Sequence, residues 1–196
     1  MKILAMNLAE ASNVAKKTLS NQWVEWIHGG SAPANTATEK KMNVINSSIN
    51  PKHCAGCLNM NGCYFVKDKS PDNPLHEHCH CYYEDVGMPD IQATSTIQKY
   101  TDYIFNSKKM NGKDALFKIW GYGIYDSEYL KKEIEKQSLL AYQSGDYMLG
   151  KRNEYGQRIN TVIHLKRKDN RAEVTFVAGW MSYPDGRIEL TTPYGG

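Results

Sequence analysis

The first stretch of the chain carries apolar residues at spacings of three and four. Ile3, Leu4, Leu8, Ala11, Val14, Ala15, Leu19, Trp23 and Ile27 fall on this pattern, which predicts a helix from Ile3 to Ile27. His28-Gly29-Gly30 is a stop signal, and Ser31 to Thr38, containing Pro33, reads as a loop. A short helix capped at Thr38 and running through Val44 and Ile45 follows, ending before Asn50-Pro51. The segment from there to about Asp85 is rich in Asn, Gly, Pro and Asp and has no amphipathic period, so it is expected as a loop.

Beyond Pro89 the helical period returns in Ser95 to Phe105, Lys113 to Trp120 and Ser127 to Tyr142, the last broken by Ser144-Gly145-Asp146. After Gly156 the period becomes two. Gln157 to Lys166 alternates around Ile159, Thr161, Ile163 and Leu165, Glu173 to Tyr183 is a β-rich run, and Ile188 to Thr192 supplies a third strand. Lys168-Asp169-Asn170-Arg171 and Pro184-Asp185-Gly186 fall where the turns belong. The expected architecture is α+β: a helical N-terminal part with a zinc-knuckle loop over residues 1–88, then residues 89–196 as helices packed on a three-stranded antiparallel meander.

Composition changes this picture only at one place. The charge of +3, from 24 basic and 21 acidic residues, is too mild to imply nucleic-acid binding alone. No run approaches the length of a membrane helix, so no membrane partner is expected. Met1 to Ala15 is interrupted by Asn7, Glu10 and Asn13 and lacks the apolar core of a secretion signal, which predicts a reducing, cytoplasmic setting. Yet all five cysteines (Cys54, Cys57, Cys63, Cys79, Cys81) and four of six histidines crowd between residues 53 and 81. An odd cysteine number in a reducing setting points to metal rather than disulfides.

Cys54-Ala55-Gly56-Cys57 can present two thiolates to one ion, and a second pair some twenty residues later completes a tetrahedron. His76 with Cys79 repeats the two-residue spacing and is the preferred second pair, with Cys81 as alternate ligand and Cys63 spare. Thiolate and imidazole donors select zinc, and its binding would order a segment too polar to fold on burial alone. The role is read as structural, because neither Glu77 nor Glu84 stands in a catalytic frame for an open zinc site.

Cys54-x-x-Cys57, the turn at Leu58-Asn59-x-Asn61-Gly62, and Pro74-Leu75-His76-x-x-Cys79-x-Cys81 resemble the C-terminal signature of phage minor head proteins of the phage Mu F type. The resemblance covers about residues 50–85, with His80 where that family commonly has Arg. It implies a phage or other mobile-element accessory protein, virion-associated or in the host cytoplasm, that works by contact with a phage structural protein or a host protein. A looser set of residues resembles an uncharacterised C-terminal domain of bacterial polymorphic toxins. These are Lys113, Leu116, Phe117 and Gly121, then Tyr155-Gly156-x-Arg158, Val174 to Trp180, and Arg187 with Leu190-Thr191-Thr192. That second resemblance implies action on RNA.

Read from its residues, the same half offers His164 near Arg158 and Lys166. Their parity along a strand puts all three on one face, as a metal-independent ribonuclease would need for proton transfer and phosphate charge. Thr192 and Tyr194 could add hydrogen bonds. The competing reading is a solvated sheet face, with Trp180 in the core. Two functions therefore stand: an interaction protein stapled by structural zinc, favoured by the more specific motif, and a toxin-like ribonuclease. The oligomeric state is not encoded in any of these signals.

Overall fold

The computed structural model describes residues 22–28, 51–73, 81–106 and 113–192, with only the backbone of 51–55 and 113. The helix expected at 38–45, most of the one expected from Ile3, and the candidate ligands His76 and Cys79 lie outside these residues, as does Tyr194.

Among the described residues the architecture is mixed α/β with two sheets, and it corrects the expected fold class in three places. First, Trp23–Ile27 is a strand, β1, where a helix was expected. It is the middle strand of a sheet ordered β2-β1-β3, with β2 at Tyr64–Val66 and β3 at Tyr82–Val86, both antiparallel to it. A central strand is covered on both faces, so its sequence Trp-Val-Glu-Trp-Ile shows no clean alternation and mimics a helical stripe. Trp23 enters one core, whereas Val24 and Trp26 enter another on the opposite face.

Second, the cysteine window is not all loop: Pro51–Met60 forms helix α1, which carries the Cys-x-x-Cys. Pro51 suits the first turn, where its missing N–H costs nothing. The helix stops at Asn61-Gly62, and the Gly62 amide is taken by the Trp26 carbonyl at 2.8 Å.

Third, the meander is the middle of a five-stranded sheet ordered β4-β8-β7-β6-β5. Its strands are β4 (Gln92–Thr94), β5 (Tyr147–Leu149), β6 (Arg158–Lys166), β7 (Glu173–Ser182) and β8 (Arg187–Thr192). β4 joins β8 in parallel, and the other pairs are antiparallel. β4 and β5 have three residues each, too short to declare a period of two.

Helix α2 (Lys113–Ile119) and helix α3 (Ser127–Ser144) supply most of the helical cover, with a π-helical turn at Lys99–Ile104 inside the stretch expected as a helix. α3 presents Leu130, Ile134, Ser138 and Tyr142 to the sheet and ends at Gly145, whose φ of 72° lets the chain turn left-handed. The main core gathers Trp180, Phe176, Ile159, Ile163, Leu190, Phe117 and Trp23. Ser138 and Thr161, both fully buried, share a hydrogen bond of 2.8 Å, and the Trp180 indole N–H donates to the same Thr161 oxygen at 3.0 Å. This relay ties α3 to β6 and β7, with the polar groups of Ser138, Thr161 and Trp180 all matched.

Tyrosine binds the two sheets together. The Tyr142 hydroxyl donates to the Tyr64 carbonyl, the Val66 amide donates to the Tyr147 hydroxyl at 3.2 Å, and Trp23 meets Tyr142 edge-on at 5.8 Å. Burial pushes the phenols of Tyr142, Tyr147 and Tyr100 above their ordinary value of 10.0. The folded chain thus holds protons that the unfolded chain releases above pH 10.0, so stability is present below that value and falls as pH rises beyond it. A series of denaturant melts should show the unfolding midpoint dropping from there upward. Tyr147→Phe should flatten the drop, while an unchanged slope would remove this residue from the account. No helix among the described residues is long and apolar enough to cross a membrane.

Candidate functional site

Strand β6 brings the proposed catalytic residues onto one surface. Ile159, Thr161, Ile163 and Leu165 turn into the core, which leaves Arg158, Asn160, Val162, His164 and Lys166 along the outer face. β5 pairs only with residues 159–161, so the distal half of β6 is a sheet edge. There the Gln137 carboxamide of α3 substitutes for a strand: its oxygen accepts from the His164 amide at 2.8 Å and its nitrogen donates to the His164 carbonyl at 2.8 Å. This two-point clamp fixes the backbone that carries the histidine.

The His164 ring is exposed, and its Nδ1 lies 2.7 Å from Glu173 Oε1, across the β6–β7 pair. With Nδ1–H on the carboxylate, Nε2 is the proton-accepting nitrogen. Lys166 is two positions along the same face, about 7 Å away by strand rise, and Thr175 stands directly opposite His164. Arg158 does not join them. It is six positions from His164, about 20 Å along the strand, so the three residues share a face without converging on one phosphate.

Arg158 has its own site, which the sequence did not expose. Its Nη2 donates to Thr191 Oγ1 at 3.2 Å, and Thr191 Oγ1 donates to the Gly179 carbonyl at 2.9 Å. The β7–β8 register explains why Thr191 is available. Trp180 faces Leu190 but Gly179 faces Thr192, leaving Thr191 as the extra residue of a bulge that re-aims its side chain. Gly179 lies close beneath: a Cβ there would sit 3.2 Å from the Arg158 guanidinium and 3.4 Å from Thr191 Oγ1, so these side chains would have to shift slightly. Met148, Lys151, Asn160 and Val177 complete a cleft of about 330 Å³ around the guanidinium. Thr192 was the expected hydrogen-bonding residue; its neighbour takes that place, because a bulge cannot be read from alternation.

At the Lys166 end of β6 a second cavity, about 490 Å³, opens between the β6–β7 hairpin tip and α3. Lys166, Arg167, Lys168, Arg171 and Asp126 line it together with Tyr122 and Tyr129, whose rings lie parallel at 6.1 Å.

The cysteines divide. Cys57 and Cys81 are buried in one small cluster with Val24, Trp26, Met60 and Phe65, on the side of the three-stranded sheet away from the main core. Cys54 lies one turn before Cys57 on α1, its side chain outside the described residues. The Asn73 side-chain amide donates to the Cys81 carbonyl at 2.8 Å. Cys63 sits in the same cluster, yet burial pushes its thiol up to about 12, and its S–H points to the Asn59 carbonyl at 3.9 Å. Burial thus favours its neutral thiol form. Among the described residues no three of His, Cys, Asp and Glu are grouped to hold a metal, and the side chains of three of the five candidate ligands, Cys54, His76 and Cys79, lie outside them. Two buried sulfurs, Cys57 from α1 and Cys81 from just beyond segment 74–80, share the small cluster.

Comparison with protein-family models, with curated proteins and with solved structures finds no match.

Proposed function

We propose that the five-stranded sheet acts on single-stranded RNA, with the outer face of β6 as the path of the strand. The observation that carries this reading is the His164–Glu173 pair, exposed and clamped in place by Gln137, with Lys166 beside it on the same face. An exposed imidazole held through Nδ1 by a carboxylate is equipped as a general base. Nε2 would take the proton of the ribose 2′-hydroxyl, the 2′-oxygen would attack phosphorus, and the 5′-oxygen would leave and take a proton from water. The Lys166 ammonium would balance the charge building on the phosphate. Arg158, bonded to Thr191, would hold a more distant phosphate of the same strand rather than the reacting one.

Cleavage of a labelled single-stranded RNA is the test. Wild-type chain is expected to cut it, with a product ending in a 2′,3′-cyclic phosphate. His164→Ala should lose activity by at least about a hundred-fold, the usual weight of a general base, with affinity retained. Arg158→Ala should instead weaken binding. Intact RNA with wild-type protein, or full activity in His164→Ala, would sink the reading.

A second reading keeps a specific observation of its own. Ile119, Ile124, Tyr125 and Tyr129 stand 60%, 49%, 101% and 51% exposed between α2 and the start of α3. Exposed aromatic and aliphatic side chains gathered in this way suit a protein partner. On this reading the chain is a zinc-stapled accessory factor of a phage or mobile element, and Tyr125→Ala would break a complex that His164→Ala leaves intact.

A further inference from the structure

We infer that the cavity at the β6–β7 hairpin tip is a nucleotide subsite, taking the base and phosphate next to the one held at His164; this rests on the RNA reading of β6. The cavity combines two recognition elements that a nucleotide needs. One is aromatic: Tyr122 is fixed by its hydroxyl donating to the Lys166 carbonyl at 2.6 Å, and Tyr129 lies parallel to it with half its surface exposed. A base can stack on such a ring whatever its identity. The other is cationic. Of the four basic residues lining the cavity, Lys168 is paired with Asp126 and Arg167 with Asp169. Lys166 stands opposite Glu173 across the β6–β7 pair without an ion pair to it, and Arg171 has no carboxylate partner among the described residues. Two uncommitted cations beside an aromatic floor are the donors a phosphate would meet.

Arg171 adds a third observation. Its φ of 59° is the left-handed conformation that Gly or Asn adopts at little cost, and it is the only non-glycine with positive φ among the described residues. The turn would be more stable with Gly, so a long basic side chain here costs stability that the fold does not require. Its position on the cavity wall supplies a use for it. Lys166 lines the cavity and is two positions from His164, about 7 Å by strand rise, which lets neighbouring nucleotides of one strand reach both.

The test uses the full chain, a fluorescent single-stranded oligonucleotide with 2′-O-methyl riboses to prevent cleavage, and a nucleoside monophosphate as competitor. Tyr129→Ala is expected to lower affinity roughly ten-fold, as one lost stacked base would. Arg171→Gly should raise the melting temperature while lowering affinity several-fold and making binding less sensitive to salt. A plain turn residue would show the first effect without the others. Unchanged affinity in both variants overturns the subsite, and the β6 reading then survives if His164→Ala still abolishes cleavage of ordinary RNA. A wild-type chain that neither binds nor cleaves overturns both. Competition by the monophosphate as tight as oligonucleotide binding would assign the cavity to a free nucleotide and overturn its place on an RNA path.

Discussion

Purified without added zinc, the chain is expected to carry about one zinc ion, and the Cys54→Ser, Cys57→Ser double variant none. Cys57 and Cys81 already share one buried cluster, and Cys54 precedes Cys57 by a helical turn. The cluster they join is small: Val24, Trp26, Met60 and Phe65 with the three buried cysteines. A core of this size closes little apolar surface, so a metal would contribute a large share of its stability, of the order of 10 kcal/mol in the strongest small zinc modules. Chelation should therefore strip hydrogen-exchange protection from β1, β2 and α1 first. The five-stranded sheet, with its own larger core, should keep most of its protection. Elemental analysis decides the first point and exchange mass spectrometry the second. Metal-free protein in which Cys57 and Cys81 resist alkylation only because they are buried would leave them as ordinary core residues.

Trp180→Ala should cost about 3–5 kcal/mol, enough to unfold a domain of ordinary stability at moderate denaturant. Trp180 is fully buried on β7, and its indole N–H ends on Thr161. Two losses add, the volume of the ring and the hydrogen bond. Thr161→Val separates them: it keeps the volume and removes the oxygen that both Trp180 and Ser138 use. Its expected cost is about 1–3 kcal/mol, since two buried donors or acceptors would be left unmatched. Equilibrium unfolding in urea measures both. A Thr161→Val variant as stable as wild type would show that water reaches this site and that the chain from α3 to the sheet is not needed.

The parts of the fold legible in the sequence are those with a long, one-sided period. α3 runs over Ser127–Ser144 against an expected Ser127 to Tyr142, and β6 over Arg158–Lys166 against Gln157 to Lys166, because each shows a single face to the core. β1 was not legible for the opposite reason: both of its faces are buried, so the alternation that marks a strand is absent. β4 and β5 are three residues long, and a sheet that recruits them gains its width from pairing partners far away in sequence. α1 was hidden by its composition, since Pro51, Gly56 and Asn59 read locally as loop.

The candidate site divides along the same line. That Arg158, His164 and Lys166 share a face follows from parity alone, because strand side chains alternate. That Glu173 holds the imidazole, that Gln137 clamps its backbone, and that a bulge turns Thr191 to Arg158 required the strands to be paired in register and α3 to be laid across them. Sequence by itself determined the periodic elements, the cysteine-rich window and the outward parity of β6, all of which depend on residues near one another in the chain. Tertiary structure alone decided which of those residues meet, because the contacts of His164 with Glu173 and of Arg158 with Thr191, and the cluster shared by Cys57 and Cys81, are set by pairing and packing, not by spacing.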